Sequence, residues 1–553
     1  MKISGAQIVL ETLKEQGVDT VFGYPGGTIL DIYDELYKSG NDFMHILTAH
    51  EQGAAHAADG YARSTGKVGV CFATSGPGAT NLVTGIATAH LDSIPIIAIT
   101  ANVPKSLIGR DTFQEVDIYG ITMPITKHNF IIDKAEDLAP TIRRAFKIAQ
   151  SGRPGPVLID IPKDVCEAFC EYTPEEKQLP DEAPKPTEGT FERALELLNR
   201  AKKPLIYAGG GTVLSDASKE LKAFAEKLDA PVASTLMGLG AFPNGHRLHL
   251  GLIGMHGHPE CSKAAHDCDV LITCGARFSD RVAGDRSAFA PNAEILHIDI
   301  DAAEMDKNVA SAYHLRGDLK ELLPKLTDAI VQQKHSDWIK EVDSARTPFV
   351  QEQIGDFVNP QTLIESVDKK SKKDAIVVTD VGQHQLWAAQ FYKFTMPRTL
   401  LTSGGLGTMG YSLGAAIGAK IANPEREVIM FAGDGGFHMN LIELATVKSY
   451  NIPIKMFVMD NKVLGMVHQL QKLFYGERYS DTEPYRETDF TALANAFGIK
   501  ALRINTNADI DGVLDEVFSS DVPVLVDCRI SPDSIVLPMN TPNSAHTDSS
   551  EEC

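Results

Sequence analysis

The sequence predicts an α/β protein built from three doubly wound parallel-sheet domains. In residues 4–165, helical patterns alternate with short apolar runs: helix 4–16, strand 20–23, helix 28–37, strand 43–48, helix 51–65 and strand 67–73. Such alternation is typical of a parallel sheet covered by helices on both faces. The pattern returns in residues 190–335 and 360–540. With 553 residues, of which 43% are hydrophobic, the chain is too long for a single core.

We therefore place the three domains at residues 1–170, 188–335 and 360–540. Four prolines fall in residues 172–187, which indicates an exposed linker after the first domain. The polar stretch 336–358 is predicted to form a helical connection to the third domain. Residues 541–553, rich in Ser and Glu, are predicted to be a disordered tail.

Composition excludes several classes of function. A net charge of −21 argues against nucleic acid and anionic membranes as partners, because both require a basic surface. The 8 cysteines show no paired spacing of the kind that zinc sites or disulfide frameworks use. The start of the chain lacks the pattern of a signal peptide, and no apolar run approaches the length of a membrane span. We predict a cytoplasmic protein.

Two strand ends in the third domain carry hard oxygen ligands. The apolar run 427–433 ends at Gly433 and is followed by Asp434, and the run 452–460 is followed by Asn461. Because parallel strands end at the same edge of a sheet, the carboxylate and the amide oxygen should lie together. Mg²⁺ prefers such ligands, with phosphates completing its shell. An ordinary capping Asp in a tight turn is the alternative. The intervening segment 436–450 is predicted to be a helix.

Seven further segments are informative when they are taken together in chain order. They are residues 24–27, 49–54, 111–117, 254–257, 275–282, 404–410 and 465–467. Together with the spacing from Gly433 to Asn461, they resemble the catalytic subunits of the acetolactate (acetohydroxyacid) synthase family. Members of that family use thiamine diphosphate (ThDP), Mg²⁺ and, in the biosynthetic branch, FAD. The resemblance covers nearly the whole chain.

The resemblance implies a ThDP site. A glutamate in the position of Glu51 contacts the cofactor's aminopyrimidine and promotes loss of the thiazolium C2 proton, here on the cofactor of a neighbouring subunit. A first-turn glutamate that complements the helix dipole is the alternative. Met409 would prop the cofactor in a bent shape, Gln114 would lie near the bound carbonyl, and Gly27 lies on the oxyanion-side loop. Further implied contacts to ThDP are Gly382, Gln383, His384, Gly407, Gly433, Gly435, Gly436 and Met466, while Val463 would offer its carbonyl to Mg²⁺ beside Asp434 and Asn461.

The resemblance also implies an FAD site in the middle domain. The positions that match the family's FAD contacts are Gly210, Gly211, Thr235, Leu236, Met237, Gly254, Met255, His256, Gly275, Arg277, Arg281, Val282, Asp299, Ile300, Gly317 and Asp318. Because carboligation transfers no net electrons, FAD would be structural or inherited from an oxidase ancestor. Arg281 matches the residue that pairs with the carboxylate of the second 2-ketoacid, although it could instead contact FAD or solvent. Phe113 and Met255 match apolar walls of the substrate pocket.

Three residues depart from the family pattern. Leu470 stands where a tryptophan commonly selects 2-ketobutyrate over pyruvate, so we predict weak discrimination between the two and poor sensitivity to herbicides that stack on that tryptophan. Ser279 replaces an Asp near FAD, and Thr28 replaces an Ala beside Gly27.

The sequence thus favours an acetolactate synthase that uses pyruvate and 2-ketobutyrate in branched-chain amino acid biosynthesis. A catabolic acetolactate synthase, a pyruvate oxidase-type flavoenzyme and a non-catalytic subunit remain alternatives. The resemblance further implies a homodimer or homotetramer with active sites at the subunit interface, and a possible regulatory small subunit.

Overall fold

A computed structural model of the chain describes residues 1–284 and 289–539. It contains three six-stranded parallel sheets, which confirms the predicted fold class. The predicted disordered tail, 541–553, lies outside the described residues. Within them, no helix is both long enough and apolar enough to cross a bilayer.

The first sheet has the strand order β3-β2-β4-β5-β7-β6, and the short strands β1 and β8 pair separately in antiparallel fashion. The strands are β1 Lys2–Ser4, β2 Thr20–Tyr24, β3 Met44–Leu47, β4 Gly69–Ala73, β5 Ile96–Asn102, β6 His128–Ile131, β7 Val157–Pro162 and β8 Phe169–Glu171. The helices are α1 Gly5–Glu15, α2 Leu30–Lys38, α3 Glu51–Thr65, α4 Pro77–Asn81, α5 Val83–Asp92, α6 Ile118–Thr122, α7 Leu138–Gln150 and α8 Lys163–Glu167.

The second sheet has the order β11-β10-β9-β12-β13-β14. Its strands are β9 Pro204–Ala208, β10 Val232–Ser234, β11 His249–Leu252, β12 Val270–Cys274, β13 Glu294–Asp299 and β14 Tyr313–Arg316. Its helices are α9 Glu188–Arg200, α10 Gly210–Leu214, α11 Ser218–Leu228, α12 Pro259–Asp267, α13 Asp280–Ala283, α14 Leu319–Ala329 and α15 Ser336–Asp343. The predicted connecting helix over 336–358 is therefore shorter than expected, because regular structure ends at Asp343.

The third sheet has the order β16-β15-β17-β18-β20-β19. Its strands are β15 Ile376–Thr379, β16 Leu400–Leu401, β17 Val428–Gly433, β18 Ile454–Asp460, β19 Lys500–Ile504 and β20 Val524–Arg529. Its helices are α16 Pro360–Lys370, α17 Gln383–Phe391, α18 Ser412–Ala422, α19 Asp434–Asn440, α20 Leu444–Ser449, α21 Gly465–Phe474, α22 Phe490–Ala496 and α23 Ile510–Phe518. Short 3-10 turns cover Gly27–Ile29, Lys105–Leu107, Met123–Ile125, Ala135–Asp137, Leu236–Gly238, Ala302–Glu304, Leu441–Glu443 and Asn507–Asp509.

The segment 436–450 is not one helix, contrary to the prediction. Helix α19 ends at Asn440, the 3-10 turn Leu441–Glu443 follows, and α20 then begins at Leu444. Asn440, the last residue of α19, has a non-helical φ of −133°, and its side chain donates to the Gly410 carbonyl at 2.6 Å.

The first and third domains pack against each other through helices α3 and α18, which are rich in Gly and Ala. A β-carbon on Gly60 would overlap the Ala415 carbonyl, and one on Gly418 would overlap the Ala57 carbonyl. The two helix backbones are therefore in direct contact, which only residues without side-chain bulk allow. One buried hydrophobic cluster includes residues of both helices and of both sheets.

Candidate active site

The predicted metal ligands lie at neighbouring strand ends of the third sheet. Strands β17 and β18 pair in parallel with Gly433 opposite Met459, so Asp434 and Asn461 emerge at the same edge. Both side chains are buried. They line one cavity, partly open to solvent, with Val381, Gly382, Gln383, His384, Trp387, Met409, Gly433, Gly435, Gly436, Met459, Val463, Leu464, Gly465, Met466, Val467 and Ile530. Most of the predicted ThDP contacts are thus brought together, although Gly407 is not among the lining residues.

The Asp434 carboxyl is in an environment that disfavours its charge. Burial raises the pKa of Asp434 to about 7, and the nearby Asp460 adds to this effect, while the Gly435 backbone N–H opposes it. A bound divalent cation would compensate the buried charge. Asn461 is held in place because its Nδ2 donates to Gln383 Oε1 at 3.3 Å and its Oδ1 accepts the Val463 N–H at 3.2 Å.

The cavity also has the features of an anion site. Helices α17 and α21 begin at Gln383 and Gly465, both lining residues, so their N-terminal N–H groups face the cavity region. His384 is buried, and its Nε2 has no hydrogen-bond partner within the described residues. Burial lowers the pKa of His384 to about 4. A β-carbon on Gly433 would come within 3.0 Å of His384 Nδ1. A buried imidazole nitrogen that has no hydrogen-bond partner within the described residues, beside glycine backbone, fits a phosphate-bearing ligand.

Met409 reaches the cavity from a turn that is organised by Asp380, a residue that the sequence analysis missed. The buried Asp380 carboxylate accepts N–H groups from Gly410 and Ser412, at 2.9 Å and 3.2 Å, and the Ser412 hydroxyl at 2.9 Å. Three donors converge on one carboxylate, which fixes the turn that carries Met409. The position of Asp380 directly after strand β15, as Asp434 follows β17, was the signal available in the sequence.

The predicted catalytic residues of the first domain lie together, away from the cavity around Asp434. Glu51 begins helix α3, is buried, and its Oε2 accepts a hydrogen bond from Asn81 Nδ2 at 2.9 Å. Gly78 lies against the same carboxylate, since a β-carbon there would be 3.2 Å from Glu51 Oε1. None of these residues lines the cavity around Asp434.

Residues 74–81 comprise the turn after strand β4 and the short helix α4, and are here together called the β4–α4 loop. The other predicted catalytic residues of the first domain, Gln114 and Gly27, pack around this loop. Gly76 has a φ of +58°, and a β-carbon on it would be 2.9 Å from the Gln114 Cα. A β-carbon on Gly26 would overlap the Thr74 side chain. Gln114 and the turn before Gly27 are therefore packed around the same loop as Glu51. The sequence analysis did not single out this loop, although a Ser-Gly-Pro-Gly run one residue after strand β4 marks a strand–turn–helix junction.

Thr28, one of the three departures from the family pattern, joins this loop. Its Oγ1 lies 2.9 Å from Thr74 Oγ1 and accepts the Ser75 N–H at 3.1 Å. An alanine could make neither contact. Thr28 thus ties the turn around Gly27 to the loop beside Glu51.

The residues matched to FAD contacts lie at the carboxyl edge of the second sheet. The strand order reverses between β9 and β12, and the glycines that follow these two strands meet there. Gly211 N–H donates to the Gly275 carbonyl at 2.9 Å, and a β-carbon on Gly210 would be 3.1 Å from Met237 Cβ. Such a reversal point is where open α/β sheets bind nucleotide ligands. Asp299 is nine-tenths buried and sits at the end of β13, and burial raises the pKa of Asp299 to about 6.

The predicted substrate residues are only partly assembled within one chain. Arg281 and Met255 are adjacent, because Met255 N–H donates to the Arg281 carbonyl at 2.9 Å and the guanidinium lies 3.9 Å from the Met255 sulfur. The Arg281 side chain is exposed. Phe113 is 86% exposed, so it forms no pocket wall with its own chain. Leu470 is half-buried on helix α21 and does not line the cavity.

Fold and site together define a thiamine pyrophosphate (ThDP) enzyme. The family described as "Thiamine pyrophosphate enzyme" matches through its N-terminal TPP binding domain over residues 3–121, its central domain over residues 191–326 and its C-terminal TPP binding domain over residues 380–528.

Comparison with similar proteins identifies the family within this class of enzymes. The chain is 47% identical over 567 residues to a probable acetolactate synthase large subunit of Methanocaldococcus jannaschii, covering 99% of this chain and 95% of the relative. It is 45% identical to the acetolactate synthase large subunit of Corynebacterium glutamicum, covering 99% and 90%. It is 44% identical to the acetolactate synthase isozyme 2 large subunit of Escherichia coli, covering 100% of both chains. The chain belongs to the acetolactate synthase large-subunit family.

Proposed function

We propose that the chain decarboxylates pyruvate and joins the remaining two-carbon unit to a second 2-ketoacid. With pyruvate as acceptor the products are 2-acetolactate and CO₂, and with 2-ketobutyrate the product is 2-aceto-2-hydroxybutyrate. Both belong to the biosynthesis of branched-chain amino acids. The observation that carries the proposal is the cavity lined by Asp434, Asn461 and His384, whose Nε2 has no hydrogen-bond partner within the described residues.

In this proposal Mg²⁺ is bound by Asp434, Asn461 and the Val463 carbonyl, and the diphosphate by the helix N-termini and by His384. ThDP, when bound, supplies the nucleophilic carbon that adds to the ketoacid carbonyl and takes up the electron pair left by CO₂. Met409, fixed by the turn around Asp380, supports the cofactor's shape. Gly382, Gln383, Gly433, Gly435, Gly436 and Met466 complete the binding surface, and Gly407 is proposed to contact the cofactor from outside this cavity.

Glu51 is proposed as the group that exchanges a proton with the cofactor's aminopyrimidine. Because Glu51 does not line the cavity of its own chain, we infer that it serves the cavity of a second copy, which makes a homodimer the smallest active unit. Gln114 and Gly27, packed around the same loop as Glu51, would face the bound ketoacid there. Phe113, exposed on a single chain, would then form its wall of the substrate pocket across the interface.

FAD is proposed to bind at the reversal point of the second sheet, beside Gly210, Gly211, Gly275 and Met237. Its role would be structural, because carboligation leaves the flavin's oxidation state unchanged. Arg281 beside Met255 is proposed to pair with the acceptor's carboxylate. The relatives are named large subunits, and on that basis we propose a regulatory small subunit as a partner. A cytoplasmic location stays a prediction.

The test is to incubate the purified chain with pyruvate, ThDP and Mg²⁺, with and without FAD. Acetolactate is measured as acetoin after acid decarboxylation, and oxygen is followed in parallel. Acetolactate formation that requires FAD supports the biosynthetic synthase. Acetolactate formed at full rate by a colourless, flavin-free protein would favour a catabolic synthase. Pyruvate loss coupled to oxygen uptake without acetolactate would contradict the proposal and favour an oxidase.

A further inference from the structure

Within the described residues, the Glu51 carboxylate accepts a hydrogen bond on only one of its two oxygens. Asn81 Nδ2 donates to Oε2 at 2.9 Å. Within the described residues no hydrogen bond reaches Oε1, which faces Gly78. The two oxygens of one buried carboxylate are thus distinguished by the protein, with one anchored and the other left available.

The anchor itself is firmly placed. Asn81 ends helix α4, which follows directly on the turn at Gly76, where φ is +58°. That turn packs on Gln114, and the preceding Thr74 and Ser75 are bonded to Thr28. Asn81 therefore does not move independently of the loop around which the other predicted catalytic residues of this domain pack.

Without such a contact, the plane of a carboxylate turns easily about its last bond, because that torsion has broad minima. A single N–H donor to one oxygen fixes the orientation of that plane, since the hydrogen bond is lost when the plane turns away from the donor. Gly78 complements the donor, because a side chain at that position would press on Oε1. Both features leave Oε1 as the atom presented to a ligand.

We propose that Asn81 is a positioning residue for Glu51, which anchors Oε2 so that Oε1 meets the cofactor's aminopyrimidine in a fixed orientation. This inference rests on the proposed function of Glu51. Asn81 touches neither substrate nor cofactor in this proposal and acts only through Glu51. The effect is one of orientation, and small displacements of a proton-transferring group are costly in rate.

The experiment uses the full chain loaded with ThDP and Mg²⁺. It measures how fast the C2 proton of bound ThDP exchanges with D₂O, by acid quench and NMR, alongside ThDP affinity and the kcat and KM for pyruvate. Asn81→Asp keeps the shape and replaces the donor by an acceptor. Asn81→Ser is a second variant that is too short to reach Oε2. Asn41→Asp, the same change at an exposed position, is the matched control.

We expect both Asn81 variants to slow C2 exchange and kcat by about 10- to 100-fold, with ThDP affinity and KM changed less than about threefold. Asn41→Asp should match the wild type. Exchange at the wild-type rate in either Asn81 variant would overturn the inference, and so would a loss that merely follows weaker ThDP binding.

Glu51→Gln separates this inference from the proposed function. If the C2 proton of ThDP exchanges slowly in Glu51→Gln but at the wild-type rate in Asn81→Asp, only the proposed role of Asn81 is wrong. If the C2 proton exchanges at the wild-type rate in Glu51→Gln, the proposed role of Glu51 is itself wrong.

Discussion

The Glu443 carboxylate accepts the backbone N–H of His50 at 3.0 Å and that of Ala49 at 3.1 Å, across two domains of the chain. Glu443 is fully buried and also accepts the Thr446 hydroxyl at 2.6 Å. It lies in the 3-10 turn that interrupts the helical segment after Asp434. The third domain thus holds the two residues that directly precede Glu51.

Glu443→Gln should weaken this junction, because the amide NH₂ of glutamine would face a backbone N–H and leave a buried donor unsatisfied. We expect a loss of about 1–3 kcal/mol in the free energy of unfolding and a lower kcat through misplacement of Glu51. Calorimetry and the acetolactate assay measure the two effects. Glu192→Gln, on the exposed face of α9, is the matched control. An unchanged Tm for Glu443→Gln would contradict the prediction.

Gly418→Ala should be far more disruptive than an ordinary helix substitution. The new methyl group would overlap the Ala57 carbonyl, which is backbone and cannot move aside. We expect a loss of several kcal/mol, more than the roughly 1–3 kcal/mol of typical overpacking. Gly512→Ala in helix α23 is the control, because in the described part of the chain nothing beyond the helix's own backbone lies within 4 Å of the added methyl group. That control should be neutral or stabilising by up to about 1 kcal/mol. Equal Tm values for the two variants would refute the close contact of α3 and α18.

Mg²⁺ affinity should depend on pH through Asp434. The carboxyl must be ionised to bind a cation, and its pKa is raised to about 7. Below that pH protons compete with the metal, so affinity rises with pH and levels off above it. We expect about a tenfold rise between pH 6 and pH 8.

Calorimetric titration of Mg²⁺ at saturating ThDP provides the measurement. Asp434→Asn should bind Mg²⁺ weakly and without this pH dependence. A wild-type affinity that stays flat across this range would argue against Asp434 as a ligand.

Leu470→Trp should shift acceptor preference toward 2-ketobutyrate. A flat aromatic wall gives an additional methylene more contact than leucine does, worth about 1–3 kcal/mol at most. The measurement is the ratio of the two products when pyruvate and 2-ketobutyrate compete at equal concentration. The wild type should show little bias. A strong 2-ketobutyrate preference in the wild type, or none gained in the variant, would contradict this expectation.

Local patterns were sufficient to predict the two strands that precede Asp434 and Asn461 and the meeting of these two residues at one sheet edge. Both residues follow apolar runs, and parallel strands end at one edge, so their meeting follows from chain direction alone. The contact of Asn81 with Glu51 has no such local sign, because it depends on how tightly the turn at Gly76 folds back. Glu443 and His50 are separated by 393 residues, and only the packing of two domains unites them. The helix break after Asn440 could not be predicted from the sequence either, because the local pattern is continuously helical and the Asn440 side chain forms its hydrogen bond with Gly410, a residue far away in the chain.

The backbone contact between α3 and α18 has a consequence for exchanging parts between relatives. A chimera that replaces only the first domain would bring in a new α3, and any residue larger than glycine at position 60 would strike the resident α18. The first and third domains therefore form one unit of exchange, although 346 residues lie between the end of α3 and the start of α18. We therefore expect functional recombinants, natural or engineered, to keep the first and third domains from the same parent. Their breakpoints should lie in the linkers that flank the middle domain.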